Sequence, residues 1–302
     1  MLEDKSTAAY LGLAIGDALG ATLEFLSEQE IKTHYSVHNS ITGGGWLRLK
    51  PGQVTDDTTM SLALGEAILS DSSINAFTIA QAYSDWMKSK PVDIGNTVRR
   101  GIVHFRYTDL PFMRKSEMDA GNGACMRSLP IALATYGKDT HMVLDASKIQ
   151  AHITHNNPQS DAGTECIILC VQALLDGADK NDLYNGVVRD LLAKHPEFDF
   201  TANRMNNPTA YIVDTLKVVF QSFFLTDSFE SCLVDVVNRG GDADTTGAIA
   251  GMLAGALYGS EQIPERWLSK MDTNIIENCK TQALALIRKS PVIQLVPSLR
   301  GI

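Results

Sequence analysis

The chain has 302 residues, 44% of them hydrophobic and 20% charged, a composition that suits a folded globular protein whose core needs no disulfide or metal staples. Its net charge is −9 and it has no lysine- or arginine-rich run, which excludes the basic footprint of sequence-independent nucleic-acid binding. Any anionic ligand must therefore find its positive potential in metal ions or helix N-termini.

From the start, Met1-Leu2-Glu3-Asp4-Lys5 lacks a basic n-region and Asp17 interrupts the apolar stretch that follows, so no signal peptide is expected. Gly12, Gly16 and Gly20 repeat every fourth residue, as do Gly247, Gly251, Gly255 and Gly259 near the other end. Glycine in a helix interior costs about 1 kcal/mol against alanine. Such spacing therefore predicts two core helices whose glycine faces admit another backbone closely, either each other's or that of separate neighbours.

Gly43-Gly44-Gly45 marks a loop, and Met60, Ala63, Leu64, Ala67 and Ile68 form the first apolar helical stripe. Further helices are predicted over 75–89, 97–106, 123–135, 160–175, 208–224 and 274–288, with Leu233, Val236 and Val237 on another. Loops fall at Lys90-Pro91, Pro111, Ala120-Gly121-Asn122-Gly123, Asn156-Asn157-Pro158 and Arg239-Gly240-Gly241. Strict alternation is absent, so the fold is expected to be all-α, and without a linker it is expected to be one domain over 1–302. The apolar run Ala248–Tyr258 is too short to span a bilayer. Five cysteines, Cys125, Cys166, Cys170, Cys232 and Cys279, show no C-x-x-C pair and read as buried reduced thiols of a cytosolic protein.

Two acidic clusters directly precede helical stripes: Thr55-Asp56-Asp57-Thr58 and Gly241-Asp242-Ala243-Asp244-Thr245-Thr246. Either alone is adequately explained as an N-cap with acidic first-turn residues. Together they offer four carboxylates and several hydroxyls, a hard all-oxygen set suited to Mg²⁺ or Mn²⁺ and not to zinc. Glu24, seven residues after Asp17, could complete this site or act as a base beside it. The glycine loop 121–127 can offer N–H groups to phosphate, Asp93 could simply cap the helix after it, and His155 alone is more often structural.

As a set, Gly16-Asp17-Ala18-Leu19-Gly20 with Glu24, Thr55-Asp56-Asp57-Thr58, the glycine loop, His155 and Gly241-Asp242-Ala243-Asp244-Thr245 resemble the ADP-ribosylglycohydrolase family. The resemblance runs in order to about Trp267. Gly43-Gly44-Gly45-Trp46, Pro91-Val92-Asp93-Ile94-Gly95-Asn96 and the 238–259 segment look most like the bacterial members that reactivate dinitrogenase reductase.

It implies an all-α domain with two divalent ions, Mn²⁺ or Mg²⁺, at the base of a cleft. It further implies cleavage of the N-glycosidic bond between ADP-ribose and arginine on a protein, here dinitrogenase reductase, with a PII-type nitrogen-signalling protein as regulator. By matching position, Thr55, Asp56, Asp57, Asp242, Asp244 and Thr245 would be metal ligands, with Glu24 beside the ions and Asp93 near the ribose. Gly121, Asn122 and Gly123 would hold the pyrophosphate, and His155, Asn96 and Tyr211 the rest of the nucleotide. Two rival readings are a toxin-immunity hydrolase of the same family and a catalytically silent relative. A third, a haloacid-dehalogenase-type D-x-D-x-T phosphatase, needs a hydrophobic strand where Asn238-Arg239-Gly240-Gly241 stands.

Overall fold

Helix formation follows the apolar spacing along most of the chain, and the computed structural model describes residues 1–290. The stretch 291–302 of the expected domain lies outside the described residues. The first half runs α1 (Leu2–Gly20), α2 (Glu28–Tyr35), α3 (Asp56–Ser70), α4 (Ala76–Lys88), α5 (Asn96–Thr108), α6 (Gly123–Met126), α7 (Leu129–Ala134) and α8 (Thr140–Ala151). The second runs α9 (Pro158–Leu175), α10 (Lys180–Leu183), α11 (Arg189–Lys194), α12 (Ile212–Leu225), α13 (Phe229–Val237), α14 (Ala243–Tyr258), α15 (Glu265–Leu268) and α16 (Thr273–Lys289). Among the described residues there is no strand, only isolated bridges such as Gly121 with Tyr211.

Side-chain caps fix several of these starts. Asn75 accepts from the Phe77 and Thr78 amides, and Asn157 accepts from those of Gln159 and Ser160 ahead of α9, which opens on Pro158.

Two expected helices are corrected. The stretch 123–135 is divided at Arg127-Ser128 into α6 and α7, with Pro130 in the first turn of the second helix. Arg127 turns into the interior there and donates to Gln150 and Thr154, while Pro130 lacks the N–H that would continue a single helix. The helix expected from 208 starts only at Ile212, because the preceding carbonyls are used elsewhere. Pro208 accepts from the Asp242 amide at 3.0 Å and Ala210 from the Asn122 amide at 2.9 Å.

At the centre lie α1 and α14. Every residue from Ala8 to Gly20 and from Ala243 to Ala256 is buried, the condition of helices enclosed on all sides. They run antiparallel with their glycines interlocked. A Cβ on Gly16 would stand 2.0 Å from the Gly247 carbonyl oxygen, one on Gly12 would stand 2.1 Å from that of Gly251, and one on Gly255 would stand 2.1 Å from that of Ala8. Of the two packing partners left open by the spacing, each helix takes the other. Gly259 does not belong to the face; it ends α14 at φ +76°. This crossing brings the C-terminal end of α1 against the N-terminal end of α14, and so positions the acidic clusters.

Candidate metal centre

Asp17 is the hub of the acidic region. Fully buried near the end of α1, its carboxylate accepts from the Thr55 amide (3.0 and 3.1 Å), the Thr58 amide (3.1 Å) and the Thr58 hydroxyl (2.5 Å). It thereby holds the N-terminus of α3, where Thr55 is the N-cap and Asp56 and Asp57 fill the first turn. Asp242 is the N-cap of α14, with Asp244 in its first turn. Glu24 is not on a helix extending from Asp17, as its spacing implied: α1 ends at Gly20 and Glu24 stands in the turns beyond it.

These pieces converge. One carboxylate oxygen each from Glu24, Asp242 and Asp244 lies within 4.8 Å of the others. Asp57 Oδ2 accepts from the Thr245 hydroxyl at 3.3 Å and the Thr55 hydroxyl at 3.2 Å, joining the two clusters. Asp57 Oδ1 is buried with no hydrogen-bond partner. A carboxylate oxygen in that state is costly unless a cation meets it. Unpartnered oxygen, clustered carboxylates and an oxygen-only donor set fit a hard divalent ion.

The electrostatics agree. Burial raises Asp56 to about 8, with Asp93 and Asp17 adding repulsion. Burial likewise raises Glu24 to about 7 against a hydrogen bond from Trp46, and raises Asp17 and Asp242 to about 6. Asp57 and Asp244 are pushed well above the carboxylate range by burial and by their acidic neighbours.

A pH prediction follows. Unfolded carboxylates titrate near 4, so between about pH 4 and 8 the folded metal-free chain holds more protons than the unfolded one. Its stability must fall as pH rises through that window. Calorimetry in EDTA should show a lower melting temperature at pH 8 than at pH 5, and Mn²⁺ or Mg²⁺ should recover the loss at pH 8. Equal melting at both pH values, with no response to either ion, would contradict the metal centre.

A cavity of about 470 Å³ opens over this cluster, lined in part by Glu24, Asp56, Asp93, Asn96, Gly121–Gly123, His155, Asp242, Asp244 and Thr245. Of the residues named from sequence, Thr55, Asp57 and Tyr211 do not line it: Thr55 and Asp57 are buried, and the Tyr211 hydroxyl donates to Gln159 Oε1 at 2.9 Å. Asp93 does not cap α5; Gly95 does, and its amide donates to Asp56 at 3.3 Å. Asn122 has its donors committed. Its side chain donates to Asp242 at 2.5 Å and to Thr215 at 2.9 Å, and its amide bonds Ala210, so its geometry is that of a brace for Asp242. Thr246, which the phosphatase reading needs, turns its hydroxyl back to the Asp242 carbonyl at 3.0 Å. No strand precedes Asp242 among the described residues, and that reading falls.

His155 presses on the glycine loop: a Cβ at Gly123 would stand 2.7 Å from its ring and one at Gly121 3.1 Å away. Arg127 donates to Thr154 Oγ1 at 2.7 Å, and that hydroxyl lies 2.7 Å from His155 Nδ1. That hydroxyl and Arg127 fix the Nδ1 edge of the ring, which turns Nε2 toward the glycine loop. Burial and the charges of Arg127 and Arg100 push His155 well below its ordinary value, so the ring is neutral. Arg127, fully buried and stacked 4.5 Å over Tyr83, thus places positive potential behind the loop of an acidic protein.

The site is that of a helical hydrolase built to hold divalent cations over a cleft polar enough for a nucleotide. The family model for ADP-ribosylglycohydrolase matches residues 1–294, and the chain belongs to that family. It is 47% identical over 289 residues to the ADP-ribosyl-[dinitrogen reductase] glycohydrolase of Rhodospirillum rubrum, covering 95% of this chain and 96% of that protein. It is 31% identical over 281 residues to an ADP-ribosylarginine hydrolase of Serratia proteamaculans, covering 89% and 75%. Among solved structures, an ADP-ribosylglycohydrolase-related protein complex aligns with TM-score 0.85 and 33% identity over 96% of this chain and 99% of that one. No described helix is long and apolar enough to cross a membrane.

Proposed function

We propose that this chain hydrolyses the N-glycosidic bond between ADP-ribose and an arginine side chain of a modified protein, with ADP-ribosylated dinitrogenase reductase as the target. The 47% identity with the Rhodospirillum rubrum glycohydrolase, spread over nearly all of both chains, carries this reading. A PII-type nitrogen-signalling protein as regulatory partner depends on that choice of target; absence of nitrogenase genes from the host would remove both. The similarity to arginine-specific hydrolases outside nitrogen fixation supports the same bond as substrate if the target differs. Five free, buried cysteines support a reducing cytoplasmic location, and one core cluster supports a single working domain over 1–302.

Thr55, Asp56, Asp57, Asp242, Asp244 and Thr245 are the proposed holders of two divalent ions, Mn²⁺ or Mg²⁺. Ions held there would supply charge stabilisation and lower the pKa of water in the cleft. Around them, Asp17 and Asn122 fix the ligands' orientation. The Nε2 edge of His155 and the backbone of Gly121 and Gly123 face the anionic nucleotide, with Asn96 and Tyr211 at its margin. Glu24 accepts the proton of the attacking water, and Asp93 relays one to the departing guanidine.

Asp93→Asn tests the last role. The substitution keeps size and hydrogen bonding but removes proton exchange, and α5 keeps its Gly95 cap, so folding should be untouched. Single-turnover cleavage of ADP-ribosylated arginine should drop ~10²–10⁴-fold, the range for general acid–base groups, while ADP-ribose affinity holds. Turnover near wild type would take Asp93 out of the mechanism.

A further inference from the structure

Gly43-Gly44-Gly45-Trp46 has no part in the scheme above, yet the structure builds it with care. The three glycines take φ of +67°, +87° and +65°, open to glycine at little cost. Gly44 and Leu49 exchange amide hydrogen bonds at 2.8 and 2.9 Å, closing the turn. A Cβ on Gly45 would stand 2.4 Å from the Ala21 carbonyl oxygen, and Thr22 donates to the Gly43 carbonyl at 3.1 Å. The turn is therefore clamped onto the stretch that carries Glu24. From it Trp46 lines the cavity, its indole N–H donating to Glu24 Oε2 at 2.6 Å.

Beside it lies Phe25, ring centroids 5.3 Å apart and tilted 49°. Phe25 adopts φ +65°, a conformation that bulky side chains rarely take, and its amide is held by the Gly241 carbonyl at 2.8 Å. Both rings remain open, 66% exposed for Phe25 and 51% for Trp46. Two large aromatic faces held open over an acidic cleft, one of them on a strained backbone, call for a ligand.

Contacts order the cleft. His155 touches Gly121 and Gly123; Asn122 holds Asp242; Asp242 lies with Glu24; Glu24 accepts from Trp46, and Trp46 packs on Phe25. In that chain of contacts the carboxylate cluster stands between the aromatic pair and the His155 end. The His155 end offers the Gly121 and Gly123 backbone, backed by the buried Arg127, and suits an anion. The opposite end offers π faces beside carboxylates and suits a planar cation.

We propose that Trp46 and Phe25 form the target-side subsite, an aromatic platform on which the guanidinium of the modified arginine lies while Trp46 orients Glu24. This rests on the arginine-directed activity proposed above. Guanidinium stacks on indole and phenyl faces, and cation–π attraction grows as the site loses water.

The test uses Mn²⁺-loaded full-length protein, with ADP-ribosylarginine as substrate and free L-arginine as product inhibitor. Phe25→Ala should raise KM and weaken arginine inhibition roughly 5- to 30-fold, the span of a partly desolvated cation–π contact, with ADP-ribose affinity unchanged. Trp46→Phe keeps a ring but loses the N–H, so kcat should fall while arginine inhibition largely remains. That split distinguishes a positioning role from a loss of folding, which would lower every parameter together. Loss of ADP-ribose affinity in Phe25→Ala would overturn the proposal by making the platform an adenine shelf. Unchanged KM and arginine inhibition would overturn it as well. Wild-type protein that fails to cleave ADP-ribosylarginine would overturn the functional reading, and the platform with it.

Discussion

Asp57→Ala should abolish turnover and leave a folded, more heat-resistant metal-free protein. Asp57 Oδ1 is buried without a partner and Oδ2 is held by two threonine hydroxyls, so the side chain is aimed at something the protein itself does not provide. Its charge is opposed by burial and by Asp17, Asp56, Asp242 and Glu24. Removing it relieves repulsion in the metal-free state and deletes a ligand from the loaded one. The loss in rate should be ~10³-fold or more, since bound ions contribute several kcal/mol to the transition state. Asp244→Ala should behave alike. Asp235→Ala is the contrasting control. That carboxylate accepts from Arg239, whose side chain is fully buried, and its loss should cost ~3–5 kcal/mol by stranding the cation. Single-turnover rates and calorimetry on the three variants should separate them cleanly. If Asp57→Ala and Asp244→Ala simply unfold, both clusters are helix caps and the metal centre is wrong.

Gly16→Val should prevent folding. The new Cβ would stand 2.0 Å from the Gly247 carbonyl oxygen and 2.9 Å from the Ala248 nitrogen, atoms of a buried helix backbone that cannot rotate aside. Overpacking a side-chain core usually costs about 1–3 kcal/mol. Here two helices would have to separate along their length, and a loss above ~4 kcal/mol is expected, a large share of typical domain stability. Expression should move to the insoluble fraction, and soluble remnants should lack the cooperative thermal transition. A soluble, cooperatively melting Gly16→Val protein would refute the close crossing of α1 and α14.

Much of this was legible along the chain, because its strongest signals are local. Four-residue glycine spacing marks both central helices, although it assigned Gly259 to the face when that residue ends α14. Both acidic clusters announce themselves as threonine and aspartate runs ahead of apolar stripes. What the sequence could not yield depends on contacts between distant segments. Asp17 accepts from Thr55 and Thr58, 38 and 41 residues away, and no periodicity records that. Trp46 on Glu24 and Arg127 behind His155 are hidden for the same reason. Asn122 looked like part of a phosphate loop because its bond to Asp242, 120 residues on, has no local trace. Helices α10, α11 and α15, of 4, 6 and 4 residues, are too short to show a period.

The interlocked α1 and α14 also set a timetable for synthesis. The partner of Gly12 is Gly251, and Thr245 bonds Asp57 across 188 residues, so a ribosome must emit most of the chain before either contact can close. Until then the first helix waits with its notched side uncovered, and Asp56 and Asp57 lack the Asp242 and Asp244 carboxylates with which to share an ion. Pairings this distant in sequence close late and slow the search for the native state. Nascent chains should therefore rely on chaperone shelter, and cation capture should coincide with the final step of folding, so that fragments truncated before Asp242 are metal-blind as well as unfolded.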